Sequence, residues 1–218
     1  MANVNASRKG CVDVFNASLL SNANYVGYLE FPIIRTQSNE IPKKLIKFSK
    51  IFKTDDFDQF VHFYEDDVNF ERIWRTPHKY LERLKKFKGV ISPDFSVYRD
   101  MPLVMQLWNI FRSRAIANWL IENGVYVIPN IRFGDSRTTE IACDGIDTNS
   151  IIAIGSHGCI KSSLDRNLFV EGLDTVIKKL SPKVIVLYGS KPDYIFDKYE
   201  GTIEIVQFKD DFYSKRDV

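Results

Sequence analysis

The sequence predicts an α/β fold in which parallel strands alternate with helices and curve into a small or irregular (β/α) barrel, with an open doubly wound sheet as the alternative. Three observations carry that expectation. Strand-like and helix-like segments alternate along most of the 218 residues. The strand-like segments are short apolar runs without polar alternation, the pattern of strands buried on both faces beneath helices. Polar residues follow at least five strand cores: Asp66 and Asp67, Ser92 and Asp94, Asn130 and Arg132, Ser156 and His157, Tyr188 and Ser190. A doubly wound sheet gathers function at one switch point, whereas a barrel spreads it over the C-terminal ends of many strands. The distribution therefore favours the barrel.

The elements follow in order. Residues 1–23 are polar and Asn-rich and read as a loosely packed arm, leaving 24–218 as a single α/β domain. "YVGYLEFPII" reads as a first strand, and "KLIKFSKIF" as a weaker one. "FVHFYEDD" is a strand ending in acids. Helical spacing then runs through Phe70, Ile73, Trp74, Tyr80, Leu81, Leu84 and Phe87, with Pro77 marking a kink or a fresh start. "GVISPDF" is the next strand. Asp100 is placed to cap the following helix, which has Pro102 in its first turn and stops at Asn123-Gly124. That helix is apolar around most of its circumference and reads as largely buried, with Arg112 and Arg114 in structural ion pairs.

"VYVIPNI" is a strand, "TTEIACDGI" fits a helix or a strand, and "SIIAIGSHG" is a strand. Ser162, three residues before Asp165, matches a capping arrangement for a helix running through Leu180. "KVIVLYG", a short helix near "PDYIFDKY" and "TIEIVQF" complete the chain.

Composition narrows the function classes. Lys and Arg total 30 against 28 Asp and Glu, so charge gives no case for a nucleic-acid binder. Three cysteines at wide spacing, with no C-x-x-C, fit a reduced cytoplasmic setting. No apolar run reaches the roughly 18 residues of a membrane span.

The candidate site lies at the strand ends. Parallel strands bring their C-terminal ends to one edge, so Asp66, Asp67, Asp94 and Asp135 can converge there. Convergent carboxylates bind Mg²⁺ or Mn²⁺, or divide into general acid and base. Acids at strand ends also cap helices, and Asp67 is placed to do so. Asp94 is preferred because it follows Ser92-Pro93 directly off a strand. In "GSHG", Gly155 and Gly158 let backbone N–H groups approach an anion, Ser156 adds a hydroxyl, and His157 adds an acid or base. Tyr188 begins a second such turn. Asn130 and Arg132 end another strand, where Arg132 can clamp an anion or pair with a carboxylate. Cys159 reads as a small packed thiol in preference to a nucleophile.

The segment from "VHFYEDD" through "GVISPDFSVYRDMP" to "RSRAIANWL", with "VIPNIRFGD", "CDGI", "IAIGSHGCIK" and "VIVLYGS", resembles a bacterial and phage family, domain of unknown function 4417. The likeness spans roughly residues 45 to 190 and covers the acids at Asp66, Asp67 and Asp94 and the Ser-Pro before Asp94. It implies a cytoplasmic protein of phages and mobile elements and names no reaction. Residue chemistry then suggests hydrolysis or group transfer on a phosphate-bearing small molecule or nucleotide. The rivals are a non-catalytic protein that binds a host protein or sequesters a ligand, and metal-dependent nucleic-acid processing.

Overall fold

The computed structural model describes residues 13–35 and 40–209, so most of the N-terminal arm and the last residues of the expected domain lie outside the described residues. A 3-10 turn at Ala17–Leu20 opens the described chain. Its Leu19 is buried, and the Asn16 amide donates to Trp74 O at 2.7 Å, which docks this stretch onto the body. β1 (Tyr25–Val26) and β2 (Phe31–Pro32) follow as an antiparallel hairpin. The single strand expected for "YVGYLEFPII" is thus folded back on itself. Gly27 at φ 69° and Glu30 at φ 54° reverse the chain between the two halves.

β3 (Leu45–Lys47) runs straight into a 3-10 segment, Phe48–Lys53. β4 (Phe60–His62) leads to α1 (Asp67–Phe70), α2 (Arg72–Arg75) and α3 (His78–Leu84). Pro77 is the N-cap of α3, the fresh start its missing N–H requires. β5 (Gly89–Ile91) precedes the long α4 (Leu103–Glu122). Pro102 occupies the N-cap of α4 with no side-chain cap bond, so Asp100 does not cap the helix as expected. Gly124, at φ 80°, ends it. β6 (Val127–Ile128) is followed by α5 (Ser136–Thr139) and a 3-10 turn at Ile141–Cys143, which resolves the ambiguous "TTEIACDGI" as helical. β7 (Ile151–Gly155), α6 (Ser163–Leu180), β8 (Val184–Tyr188), α7 (Asp193–Phe196) and β9 (Glu204–Phe208) complete the fold.

The parallel strands form a four-stranded sheet, β3-β4-β5-β6, and a three-stranded sheet, β7-β8-β9. A parallel bridge between Asn130 and Ala153 joins β6 to β7. Side chains alternate between two clusters. Along β7, Ile151 and Ala153 belong to one and Ile152 and Ile154 to the other; along β8, Val184, Val186 and Tyr188 alternate with Ile185 and Leu187. The cluster holding Ile152 and Leu187 also takes in the apolar faces of α2, α3, α4 and α6. The other, with Phe60, Ile91 and Ile128, is built almost wholly from strand residues. Both sheet faces are therefore buried, which is why the strands lack polar alternation.

The strand-only cluster also reports curvature. Tyr64, just past β4, stacks on Tyr188 of β8 with ring centroids 4.7 Å apart and planes 11° apart. In a flat sheet, strands four places apart lie roughly 19 Å from each other. The sheet curls until β4 and β8 face one another. The described strands nonetheless form no closed barrel, because no ladder joins β3 to β9.

Candidate functional site

Strands that curl about an apolar interior bring their C-terminal ends around one mouth. A cleft of about 1220 Å³ opens there, floored by Tyr64 and Tyr188. Asp66, Asp67, Asp94, Arg132, Gly155, His157 and Gly158 all line it. Ser92, Asn130 and Ser156 are buried and absent from its wall.

Asp94 is the centre of a wired network. Its Oδ1 accepts from the Asn130 amide at 2.7 Å, and Asn130 Oδ1 accepts from the Tyr64 hydroxyl at 2.9 Å. Asn130 N donates to Ser92 Oγ at 2.8 Å, which locks the end of β6 against that of β5. Asp94 Oδ2 faces Arg132 Nη1 at 3.8 Å, with the two side chains only 12% and 17% exposed. Burial raises the Asp94 pKa; Arg132 and Asn130 pull it down without cancelling that shift, and Asp67 adds to it. Burial also pushes the Tyr64 phenol well above its usual value, assisted by the Asp94 charge.

Arg132 is held from two sides. Nη1 also donates to Cys159 Sγ at 3.1 Å, while Nε is buried without a hydrogen-bond partner among the described residues. Burial opposes the guanidinium charge, but Cys159 and Asp94 outweigh it and leave the pKa raised. Burial lifts the Cys159 thiol despite its Arg132 neighbour, the opposite of an activated nucleophile.

The other acids have different duties. Asp67 accepts from Ser96 Oγ at 2.8 Å and from Ser96 N at 3.1 Å, so both its oxygens fasten the loop after β5. Asp66 is the exposed N-cap of α1, without a side-chain cap bond. Asp135 lies outside the cleft wall: it caps α5 by accepting from Arg137 N at 2.9 Å and pairs with the Arg137 guanidinium at 2.7 Å. That bond and ion pair hold the Asp135 carboxyl below its ordinary pKa. Among the described residues, no three or more His, Cys, Asp or Glu side chains are grouped to hold a metal ion, so the carboxylate set expected for Mg²⁺ or Mn²⁺ is not assembled.

The GSHG turn divides as well. Ser156 is fully buried and donates to Ser190 O at 2.7 Å, tying the end of β7 to that of β8. Gly189 sits at φ 114°, where a Cβ would approach Ser156 Oγ to 2.6 Å, so only glycine fits beside this bond. The α6 N-terminus is occupied by its own capping residues: Ser162 Oγ accepts from Asp165 N at 3.0 Å, and Asp165 pairs with Arg99 at 2.9 Å. His157 and Gly158 remain as exposed rim.

The sequence reading passed over several cleft residues. Lys47, Lys50 and Lys161 supply further positive charge, and Ser96 builds the loop beyond Asp94, whose Tyr98 the sequence reads as core and pocket wall. The polar face of α4 explains how that loop is held. Asn109 donates to Ser96 O at 2.6 Å, Ser113 Oγ to Pro93 O at 2.6 Å, and Arg112 pairs with Glu71 at 2.8 Å beneath the Phe95 ring. Arg112 thus makes its expected ion pair. Arg114 does not: it donates to Ala142 O instead, with no carboxylate partner among the described residues.

No helix of the described residues is long and apolar enough to cross a membrane. The chain is similar to the Gene 1 protein of Mycobacterium phage L5, 36% identical over 129 residues, which is 59% of this chain and 56% of the phage protein. It is also similar to the Gene 1 protein of Mycobacterium phage D29, 33% identical over 129 residues, 59% of this chain and 48% of the relative. The match thus spans about half the length of either relative. No solved structure matches. The resemblance seen in the acids and the Ser-Pro-Asp turn extends over most of the chain: the family described as Domain of unknown function (DUF4417) matches residues 23–209, and the chain belongs to it.

Proposed function

We propose that the cleft binds a phosphate-bearing small molecule or nucleotide and that the protein hydrolyses it or transfers its phosphoryl group. Arg132 is the anion clamp and Asp94 the general base. The observation that carries this reading is the pairing of a desolvated carboxyl, Asp94, with a buried guanidinium whose Nε has no partner among the described residues, side by side in one cleft. A raised carboxyl pKa brings a base closer to working pH, and a guanidinium fork matches phosphate oxygens. A volume of about 1220 Å³ has room for a nucleotide-sized ligand.

In hydrolysis, Asp94 takes a proton from water as its oxygen bonds to phosphorus. The bond from phosphorus to the leaving oxygen breaks, and Asp94 returns the proton to that oxygen. In transfer, an acceptor hydroxyl replaces the water. Asn130 and Tyr64 hold the carboxyl in orientation throughout.

The test is Asp94→Asn, which can still accept from Asn130. A panel of nucleotides and sugar phosphates is screened for thermal stabilisation and for phosphate release. Turnover by Asp94→Asn should fall by about 10²-fold or more while the fold and ligand binding persist. Full turnover by that variant, or its failure to fold, removes Asp94 from the chemistry. Arg132→Lys should weaken binding of every phosphate ligand, because a point charge replaces the fork.

A further inference from the structure

Resting on that reading of the cleft, we infer that the non-phosphate end of the ligand is a flat ring of nucleobase type, seated on the face of Tyr98. Tyr98 lines the cleft and is 52% exposed. An exposed tyrosine ordinarily turns its hydroxyl to water and lays its ring on the protein. Tyr98 instead has its hydroxyl bonded to the protein while the residue stays half exposed. Its hydroxyl lies 3.0 Å from Ser96 Oγ, and the Ser96 hydroxyl is already donated to Asp67 at 2.8 Å. Tyr98 must therefore be the donor, in a chain that runs from phenol to serine to carboxylate.

The backbone is fixed too. Asn109 holds Ser96 O at 2.6 Å, and Gly134 approaches so closely that a Cβ there would lie 3.1 Å from Tyr98 O. Hydroxyl and backbone are thus both held on a half-exposed residue that lines the cleft, so the ring has little freedom left to lose on binding. Strand order fixes its surroundings. Lys47 ends β3 and Lys50 follows it, at one end of the mouth. Tyr98, Met101, Phe133 and Leu168 come from the segments after β5 and β6 and from α6. Arg132, after β6, neighbours the segment after β5 that carries Tyr98 and lines the same cleft, which places it for a phosphate joined to a ring on Tyr98. Stacking on one aromatic face tolerates any base and contributes strongly to binding.

Isothermal titration calorimetry of the full chain with adenosine 5′-monophosphate, uridine 5′-monophosphate and ribose 5-phosphate tests this. The wild type should bind both nucleotides more tightly than the sugar phosphate. Tyr98→Ala should weaken the nucleotides roughly tenfold to a hundredfold and leave ribose 5-phosphate unchanged. Tyr98→Phe, which keeps the ring, should retain nucleotide affinity within about fivefold. Equal binding of nucleotides and ribose 5-phosphate overturns the ring seat while leaving the phosphate site standing. So does a Tyr98→Ala variant that weakens all three alike. If none of the three binds the wild type, the phosphate reading itself is overturned, and the ring seat with it.

Discussion

Asn130→Ala probes the network behind the cleft without touching its wall. The substitution removes the amide that donates to Asp94 at 2.7 Å and the oxygen that accepts from Tyr64 at 2.9 Å, but keeps the backbone bond to Ser92. The Tyr64 hydroxyl is then buried without a partner, which costs about 1–3 kcal/mol. Asp94 loses a charge-assisted bond, about 1.5–3 kcal/mol. The sum, about 2.5–6 kcal/mol, corresponds to a melting-point drop of roughly 5–24 °C for a chain of this size.

The two parts separate by pH. The Asp94 pKa stands above its ordinary 3.8 because burial outweighs Arg132 and Asn130. A carboxyl whose pKa rises on folding loses stability as pH climbs from the unfolded value through the folded one. Removing Asn130 takes away a partner that lowers the pKa, so the folded value moves further up. The added cost is absent below the unfolded value, where the carboxyl is protonated in both states, and complete once the pH exceeds the variant's folded value. Urea melts of wild type and variant across pH 4–8 should show a deficit that grows with pH, and the growth should vanish in an Asp94→Asn background. A deficit that is flat with pH, or under about 1 kcal/mol, refutes the coupling of Asn130 to Asp94.

Two further substitutions test packing and buried charge. Gly172→Ala puts a Cβ 2.1 Å from Phe133 Cε2, so overpacking of about 1–3 kcal/mol should exceed the roughly 1 kcal/mol gained in helix propensity, and Phe133→Leu in the same chain should restore stability by thermal melt. Arg114 is 2% exposed, and burial lowers its pKa to about 10, so Arg114→Met should leave stability unchanged or raise it by about 1 kcal/mol; a loss above about 3 kcal/mol by urea denaturation would show that the Ala142 bond outweighs the buried charge.

Local signals made much of the fold legible. The break at Pro77, the stop at Gly124 and the Ser162 cap each depend on a few neighbouring residues, and each stands where the sequence placed it. The unalternating strands announced burial on both faces. Curvature was less accessible, because it is set by contacts such as Tyr64 on Tyr188, far apart in the chain. The spread of polar residues over many strand ends, which favours a barrel, carries no information on whether β3 reaches β9. The hairpin at Tyr25–Pro32 was hidden by Glu30, a residue seldom found at positive φ. Asp100 and Asp135 show the limit for acids: one was expected to cap and does not, the other was expected at the cleft and caps instead. Capping depends on where the backbone turns, to within one residue, and periodicity does not resolve that.

The Ser92-Pro93-Asp94 turn shows why one carboxylate among several becomes the reactive candidate. Ser92 Oγ accepts from the end of β6, Pro93 O accepts from α4, and Ser96 is gripped by Asp67 and Asn109. Five consecutive residues are thus fastened to three other elements, and the proline leaves no backbone N–H in need of a ladder partner where pairing stops. Asp94 is the acid in this segment, and among the described residues its Oδ2 has only the 3.8 Å ion pair with Arg132 while Oδ1 is held by Asn130. Asp67 spends both oxygens on Ser96, which is structural work for the same loop. Rigid attachment around one incompletely satisfied carboxylate is the arrangement that pre-organises a base at low entropic cost. The division of labour between two acids at neighbouring strand ends follows from which of them the loop needs to hold itself together.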